Sequence, residues 1–97
     1  MPFAIIAHDA PGTEALRGQL RQAHVDYLRA HVELILAGGA LLDEGGRPVG
    51  GLLIIDTDDR QTAESFSAAD PFRTGGVFGR VQVVPWRKTF FDHEALA

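Results

Sequence analysis

Cysteine is absent from the 97 residues of the sequence. Without a thiol the chain cannot form disulfides, thiolate metal sites or a cysteine nucleophile. Basic residues are also few, since nine lysines and arginines stand against 13 aspartates and glutamates and give a formal net charge of -4. Because duplex nucleic acid is bound by a clustered basic surface, this charge argues against a nucleic-acid-binding protein.

Long apolar runs are absent as well. No run approaches the about 20 residues that a membrane-spanning helix needs, and Met1 to Phe3 lead into a strand-like segment without a basic leader. We therefore expect a cytoplasmic protein that does not enter membranes. The 45% hydrophobic content is typical of a globular protein, and residues 1–97 are expected to form a single domain. Its core would be thin, which favours a homodimer.

The apolar pattern predicts six elements in the order βαββαβ. A first strand is predicted over Pro2–His8, and a long helix over Thr13–Ile35, where apolar side chains and two histidines recur about every 3.6 residues. The pair Gly38–Gly39 is expected to end this helix. The other predicted elements are strands at 40–44 and 50–57, a helix at 60–69 capped by Asp58 or Asp59, and a strand at 79–86.

This order is typical of the ferredoxin-like α+β fold, in which two helices cover one face of a four-stranded, mostly antiparallel sheet. The other face of the sheet remains uncovered. Its apolar strand residues favour packing against a second copy of the chain, which again predicts a homodimer.

Two histidines lie on the apolar side of the long helix. His24 and His31 are seven residues apart, about 10 Å along a helix, which is too far for both rings to bind one metal ion. We therefore predict no metal site. Either imidazole can act as a general acid or base near neutral pH, or can be a partly buried structural histidine bonded to backbone or a carboxylate. The spacing leaves both interpretations open.

Asp70 is a second candidate because it precedes Pro71 where the second predicted helix ends. Asp followed by Pro is a good helix N-cap with proline at the first helical position, so Asp70 can start another helical turn. Its carboxylate can also hold one ring nitrogen of a histidine, which fixes the tautomer and stabilises the protonated ring. The two roles are compatible.

Several short motifs occur together along the chain. They are Arg21-Gln22-Ala23-His24, Asp70-Pro71-Phe72, Gly75-Gly76-Val77, Val81-Gln82-Val83 and Pro85-Trp86. In this order and spacing the chain resembles the YCII-related (YciI-like) family, and the resemblance extends from the first strand to the segment 85–90.

The resemblance implies a dimeric ferredoxin-like α+β barrel, similar to muconolactone isomerases and small monooxygenases. Carried over to this sequence, it implies a catalytic pair of His24 and Asp70 that works without a cofactor. Arg21, one turn before His24, is a candidate for binding an anionic substrate, or is a surface arginine that is solvated or paired. His31 has no counterpart, so we expect a structural role for it.

One segment departs from the family pattern. Many relatives have a small residue followed by Gly-Pro after the long helix, whereas this chain has the acidic, glycine-rich turn 43–48. If that turn borders the pocket, Asp43 and Glu44 would disfavour a strongly anionic ligand. His8 and His93 are expected in a turn and in the tail, and the glycine-rich stretch 45–51 lacks the spacing of a phosphate-binding loop.

These observations predict a small cofactor-independent enzyme in which His24 moves a proton on a small organic substrate, including cyclic ones, while Asp70 orients the ring. Lyase or isomerase chemistry fits best, including elimination of the dehydrochlorinase type found among relatives, and a monooxygenase ranks lower. The alternative is a noncatalytic ligand-binding or interaction domain with the same polar pocket.

Overall fold

The computed structural model describes residues 1–96. The helices and strands are β1 (Phe3–Asp9), α1 (Glu14–Ala30), β2 (Ile35–Leu42), β3 (Pro48–Ile55), α2 (Arg60–Ala68), α3 (Pro71–Thr74), β4 (Phe78–Pro85), β5 (Phe90–Phe91) and β6 (Glu94–Ala95). The first four strands along the chain form one antiparallel sheet in the order β2-β3-β1-β4, and β5 pairs with β6. The fold is the predicted ferredoxin-like α+β fold. Within residues 1–96 no helix is long and apolar enough to cross a membrane.

Helix α1 ends at Ala30, five residues before the predicted end. The ring Nδ1 of His31 donates a hydrogen bond to the carbonyl of Tyr27 at 2.8 Å, which occupies the acceptor that another α-helical turn would use. A single 3-10 turn follows, and β2 then begins at Ile35. The predicted helix end was therefore wrong.

Gly38 and Gly39 lie inside β2, where they were expected to end the helix. Ile35 pairs with Ile55 across the sheet, and Gly38 pairs with Leu53. These cross-strand pairs hold the segment extended, because burying apolar side chains on a sheet outweighs a helical pattern in the sequence. The prediction that the second strand starts at residue 40 was wrong for the same reason.

The core lies between the sheet and the helices. Alternate residues of β1 face the helices together with their partners on β3, in the pairs Phe3–Ile55, Ile5–Leu53 and Ala7–Gly51. Phe66 and Ala63 of α2 pack against this set and are themselves buried. Each fully buried Phe or Ile side chain stabilises the fold by roughly 1.5–3 kcal/mol.

The opposite face of the sheet has no helix of residues 1–96 over it. Ile6 pairs with Leu52 on this face, and Ala4 pairs with Val84. Leu52 is 39% exposed and Val84 is 36% exposed. The uncovered face thus presents apolar side chains to solvent in a single chain.

Candidate functional site

A cavity of about 360 Å³ lies between α1 and the sheet. Beneath it run the glycine pairs Gly38–Gly39 of β2 and Gly50–Gly51 of β3. Further along β3, Leu53 and Ile55 fill the space under the helices with side chains. Gly38 and Gly51 lie on the helix-facing side and have no side chains, so this end of the sheet is left open and a ligand-sized space remains.

His24 and Asp70 meet at the wall of this cavity. His24 Nδ1 lies 2.7 Å from Asp70 Oδ1, and their side chains are 17% and 4% exposed. Since a carboxylate oxygen accepts the bond, Nδ1 carries the proton and Nε2 is left as the basic nitrogen of the neutral ring. Nε2 has no hydrogen-bond partner within residues 1–96 and is reached by solvent.

The local structure around Asp70 explains how its carboxylate is held. Asp70 is the N-cap of α3, and its Oδ1 accepts a hydrogen bond from the backbone N–H of Phe72 at 2.9 Å. Pro71 occupies the first turn of that helix. The same oxygen therefore caps a helix and contacts His24 Nδ1.

Two phenylalanines orient the His24 ring. Phe72 stacks on it with ring centroids 3.9 Å apart and an interplanar angle of 9°. Phe78 approaches it edge-on at 6.5 Å. Phe72 is only 1% exposed, so it is fixed by the core. Phe72 belongs to the Asp-Pro-Phe motif, but its stacking on His24 could not be read from the sequence.

Arg17 was not recognised from the sequence. Its Nε donates to Asp9 Oδ2 at 2.8 Å and its Nη2 donates to the carbonyl of Gly50 at 2.9 Å. Its guanidinium carbon also lies 4.6 Å from the centre of the Phe72 ring. Arg17 therefore ties α1 to β1 and β3 beside the cavity. The signal available in the sequence is its position two helical turns before His24.

Ser67 was also missed. It lines the cavity, is 4% exposed, and accepts a hydrogen bond at its Oγ from Arg73 Nη1 at 2.8 Å. Ser67 lies one helical turn before Asp70, whose backbone N–H donates to the Ser67 carbonyl at 3.3 Å. The serine and the aspartate thus belong to the same short piece of backbone at the end of α2.

Arg21 lines the cavity as well, and its side chain is exposed. Among residues 1–96 it forms no salt bridge with a carboxylate. The acidic turn 43–48 between β2 and β3 does not line this cavity within the described chain. Asp43 and Glu44 were expected to disfavour an anionic ligand only if this turn bordered the pocket, and within one chain it does not.

His31 lies outside the cavity, at the C-terminal end of α1. Its ring centre is 4.5 Å from that of Tyr27 and 5.6 Å from that of Phe66. The Tyr27 hydroxyl donates to the Phe66 carbonyl at 2.8 Å, and burial, with a smaller effect of the Asp70 charge, raises the pKa of Tyr27. His8 is exposed on β1, and His93 is exposed in the turn between β5 and β6.

Comparison with known proteins identifies relatives across nearly the whole chain. An uncharacterized protein of Haemophilus influenzae is 32% identical over 98 residues, which span 93% of this chain and all of that protein. Protein YciI of Escherichia coli is 28% identical over 102 residues, with 93% of this chain and all of YciI covered.

A solved structure has the same fold. It is 5-chloro-2-hydroxyhydroquinone dehydrochlorinase (TftG) from Burkholderia phenoliruptrix AC1100, in complex with 2,5-dihydroxybenzoquinone. The two structures align with a TM-score of 0.82 at 29% identity, over 90% of this chain and 94% of the other. The YCII-related domain model matches residues 1–87. With a match of this extent, the chain belongs to the YCII-related family.

Proposed function

We propose that the protein is a small enzyme in which His24 transfers a proton on a small organic substrate, with Asp70 as its orienting partner. The observation that carries this proposal is the 2.7 Å contact between His24 Nδ1 and Asp70 Oδ1 at the wall of a cavity of about 360 Å³. A cavity of that size is within the range that takes one small molecule.

The proton transfer follows from the hydrogen bonds of the pair. Asp70 accepts from Nδ1–H of His24, so the lone pair of Nε2 is free to take a proton from the substrate. The ring then becomes an imidazolium, whose charge the neighbouring carboxylate stabilises. The Phe72 N–H holds that carboxylate and the Phe72 ring holds the imidazole plane, so neither group has to reorganise during the transfer.

Two reaction types begin with such a proton transfer and need no cofactor. In an elimination the C–H bond breaks, its proton goes to Nε2 and its electron pair forms a carbon–carbon double bond, while the carbon–halogen bond breaks and the halide leaves with that bonding pair. In an isomerisation His24 returns the proton to another atom of the same substrate. The name of TftG supports the first type, since that relative is a dehydrochlorinase of a hydroxylated ring.

Arg21 is proposed to bind an anionic group of the substrate at the cavity. The proposal is supported by its exposed side chain on the cavity lining and by the absence of a carboxylate partner within residues 1–96. A guanidinium in that state can accept an oxyanion without first breaking an ion pair.

The test measures turnover of a panel of compounds that contains 5-chloro-2-hydroxyhydroquinone, small lactones and enols. Turnover is detected by chloride release and by the change in ultraviolet absorbance. We expect the wild type to convert at least one compound and His24→Gln to be slower by about two to four orders of magnitude. The control is His31→Gln, directly after the end of the same helix and outside the cavity, which should keep most of the activity. Binding without any turnover would instead indicate a ligand-binding protein, and an active His24→Gln would contradict the role of His24.

A further inference from the structure

The hydroxyl of Ser67 is buried, and its O–H donates no hydrogen bond within the described residues. Its Oγ accepts a hydrogen bond from Arg73 Nη1 at 2.8 Å. A guanidinium can only donate, so the serine must use a lone pair there and keep its own O–H for another partner. Within residues 1–96 this hydroxyl donates no hydrogen bond, although the side chain is only 4% exposed. The bond from Arg73 satisfies the Ser67 oxygen, and the O–H remains as a donor for an acceptor that enters from outside the chain.

The cavity is where such an acceptor would come from, because Ser67 is part of its lining. Arg73, in the last turn of α3, places a positive charge behind the serine oxygen. A hydroxyl that accepts from a charged donor is polarised and becomes a stronger donor itself. The arrangement favours an oxygen that carries negative charge, or acquires it, over an uncharged apolar group.

Ser67 lines the same cavity as His24 and Asp70. Asp70 is three residues after Ser67 and is joined to it by a backbone hydrogen bond of 3.3 Å, and both residues line the cavity with His24. A substrate bound there would therefore meet a proton acceptor on α1 and a hydrogen-bond donor at the end of α2.

We infer that the Ser67 hydroxyl, which accepts a hydrogen bond from Arg73, donates a hydrogen bond to an oxygen atom of the substrate. The corresponding substrate class is small ring compounds that carry a phenol, enol or ring carbonyl oxygen. The inference rests on the proposed function. When His24 removes a proton from carbon next to a carbonyl, the electron pair of the broken C–H bond forms a new carbon–carbon double bond, and the π pair of the carbonyl moves onto its oxygen. The Ser67 hydroxyl stabilises that developing negative charge. The Phe78 ring on the cavity lining suits the ring of such a compound.

The test compares Ser67→Ala with Ser65→Ala in the full chain. Ser65 lies on the same helix but is exposed and does not line this cavity. The probe is 2,5-dihydroxybenzoquinone, titrated by calorimetry, with chlorobenzene as a ring that has no oxygen. We expect Ser67→Ala to weaken binding of the quinone about tenfold or more, to leave chlorobenzene binding unchanged, and to unfold at nearly the wild-type temperature. Ser65→Ala should change neither affinity by more than about twofold.

Each outcome separates the two proposals. If Ser67→Ala binds the quinone with the wild-type affinity, the inference is overturned and the proposed function is unaffected. The same holds if Ser67→Ala loses equal affinity for the quinone and for chlorobenzene, because that result would indicate a packing role for Ser67. A wild type that binds neither the quinone nor any compound of the turnover panel would overturn the proposed function itself. A crystal structure of the wild type with the bound quinone provides an independent check: the inference requires a ligand oxygen within hydrogen-bond distance of Ser67 Oγ.

Discussion

At the scale of single residues, Asp70 combines two roles that substitutions can separate. Its Oδ1 caps α3 through the Phe72 N–H and also binds His24 Nδ1. Asparagine is as good an N-cap as aspartate but has no charge, whereas alanine can do neither job. The pair Asp70→Asn and Asp70→Ala therefore distinguishes the structural role from the electrostatic one.

For Asp70→Asn we expect nearly wild-type stability but a loss of turnover comparable to or smaller than that of His24→Gln, because the charge that favours the imidazolium is gone. For Asp70→Ala we expect an additional loss of about 1 kcal/mol in the free energy of unfolding. Urea unfolding and steady-state rates measure the two effects. Full activity in Asp70→Asn would show that the carboxylate charge plays no part in the reaction.

Tyr27 gives a second prediction at this scale, since it is the only tyrosine in the sequence. Its hydroxyl donates to the Phe66 carbonyl, and burial raises its pKa above the ordinary value of 10.0. A raised pKa in the folded state means that this group stabilises the protein below about pH 10 and that the contribution is lost as pH rises through the folded value.

An ultraviolet titration of tyrosinate should therefore give a midpoint above 10.0 in the native protein, and the midpoint should return to about 10 in urea. Urea unfolding at increasing alkaline pH should show the wild type losing its stability advantage over Tyr27→Phe. A native midpoint at or below the unfolded one would contradict the burial and hydrogen bonding of this hydroxyl.

At the scale of secondary-structure elements, β3 carries two adjacent glycines in different surroundings. A Cβ added at Gly50 would collide with the backbone carbonyl oxygen of Ala7, on the neighbouring strand. A Cβ added at Gly51 would lie 3.7 Å from the Phe78 ring, which is ordinary van der Waals contact. Gly50 therefore permits the close approach of two strands, whereas Gly51 keeps the cavity open.

We expect Gly50→Ala to be destabilised by about 2 kcal/mol or more, because backbone must move, and Gly51→Ala to stay within about 1 kcal/mol of the wild type. Gly51→Ala should instead weaken ligand binding by narrowing the cavity. Thermal unfolding and calorimetric titration test the two effects. Equal stability of both variants would show that the two strands are not held as close as the structure describes.

At the scale of the whole molecule, the uncovered sheet face supports a proposed homodimer. Leu52 and Val84 are partly exposed there, and Ile6 lies beside Leu52. Covering such a face with the same face of a second copy removes apolar surface from water in both chains at once, and a domain of this size gains stability from it.

Light scattering at micromolar concentration should give a mass of roughly 21 kDa, twice the 10.5 kDa of the chain. Leu52→Glu places a charge on this face and should shift the protein to monomer. The matched control is Val32→Glu, because Val32 is 63% exposed and lies in the 3-10 turn after α1. A wild type that is monomeric, or a Val32→Glu that dissociates equally, would contradict a dimer through the sheet.

The sequence by itself determined the order of the elements up to β4 and named three residues that line the cavity, Arg21, His24 and Asp70. Short apolar runs marked β1 and β3, alternation marked β4, and the Asp70-Pro71 pair marked the start of a helical turn, because these signals depend on neighbours along the chain. The helical period placed His24 on α1 correctly, whereas His31, predicted on the same helix, lies directly after its end.

Only the tertiary structure decided which groups meet. His24 and Asp70 are 46 residues apart, and their contact depends on how α1 and α3 pack on one sheet. The pairing of Ile35 with Ile55 makes the segment after α1 extended, and this long-range contact overrides the local helical pattern. The open cavity requires Gly38 of β2 and Gly51 of β3 to lie near each other beneath α1, with Gly38 opposite Leu53 and Gly51 opposite Ala40. This register is set by packing across the sheet, which periodicity along the chain does not encode.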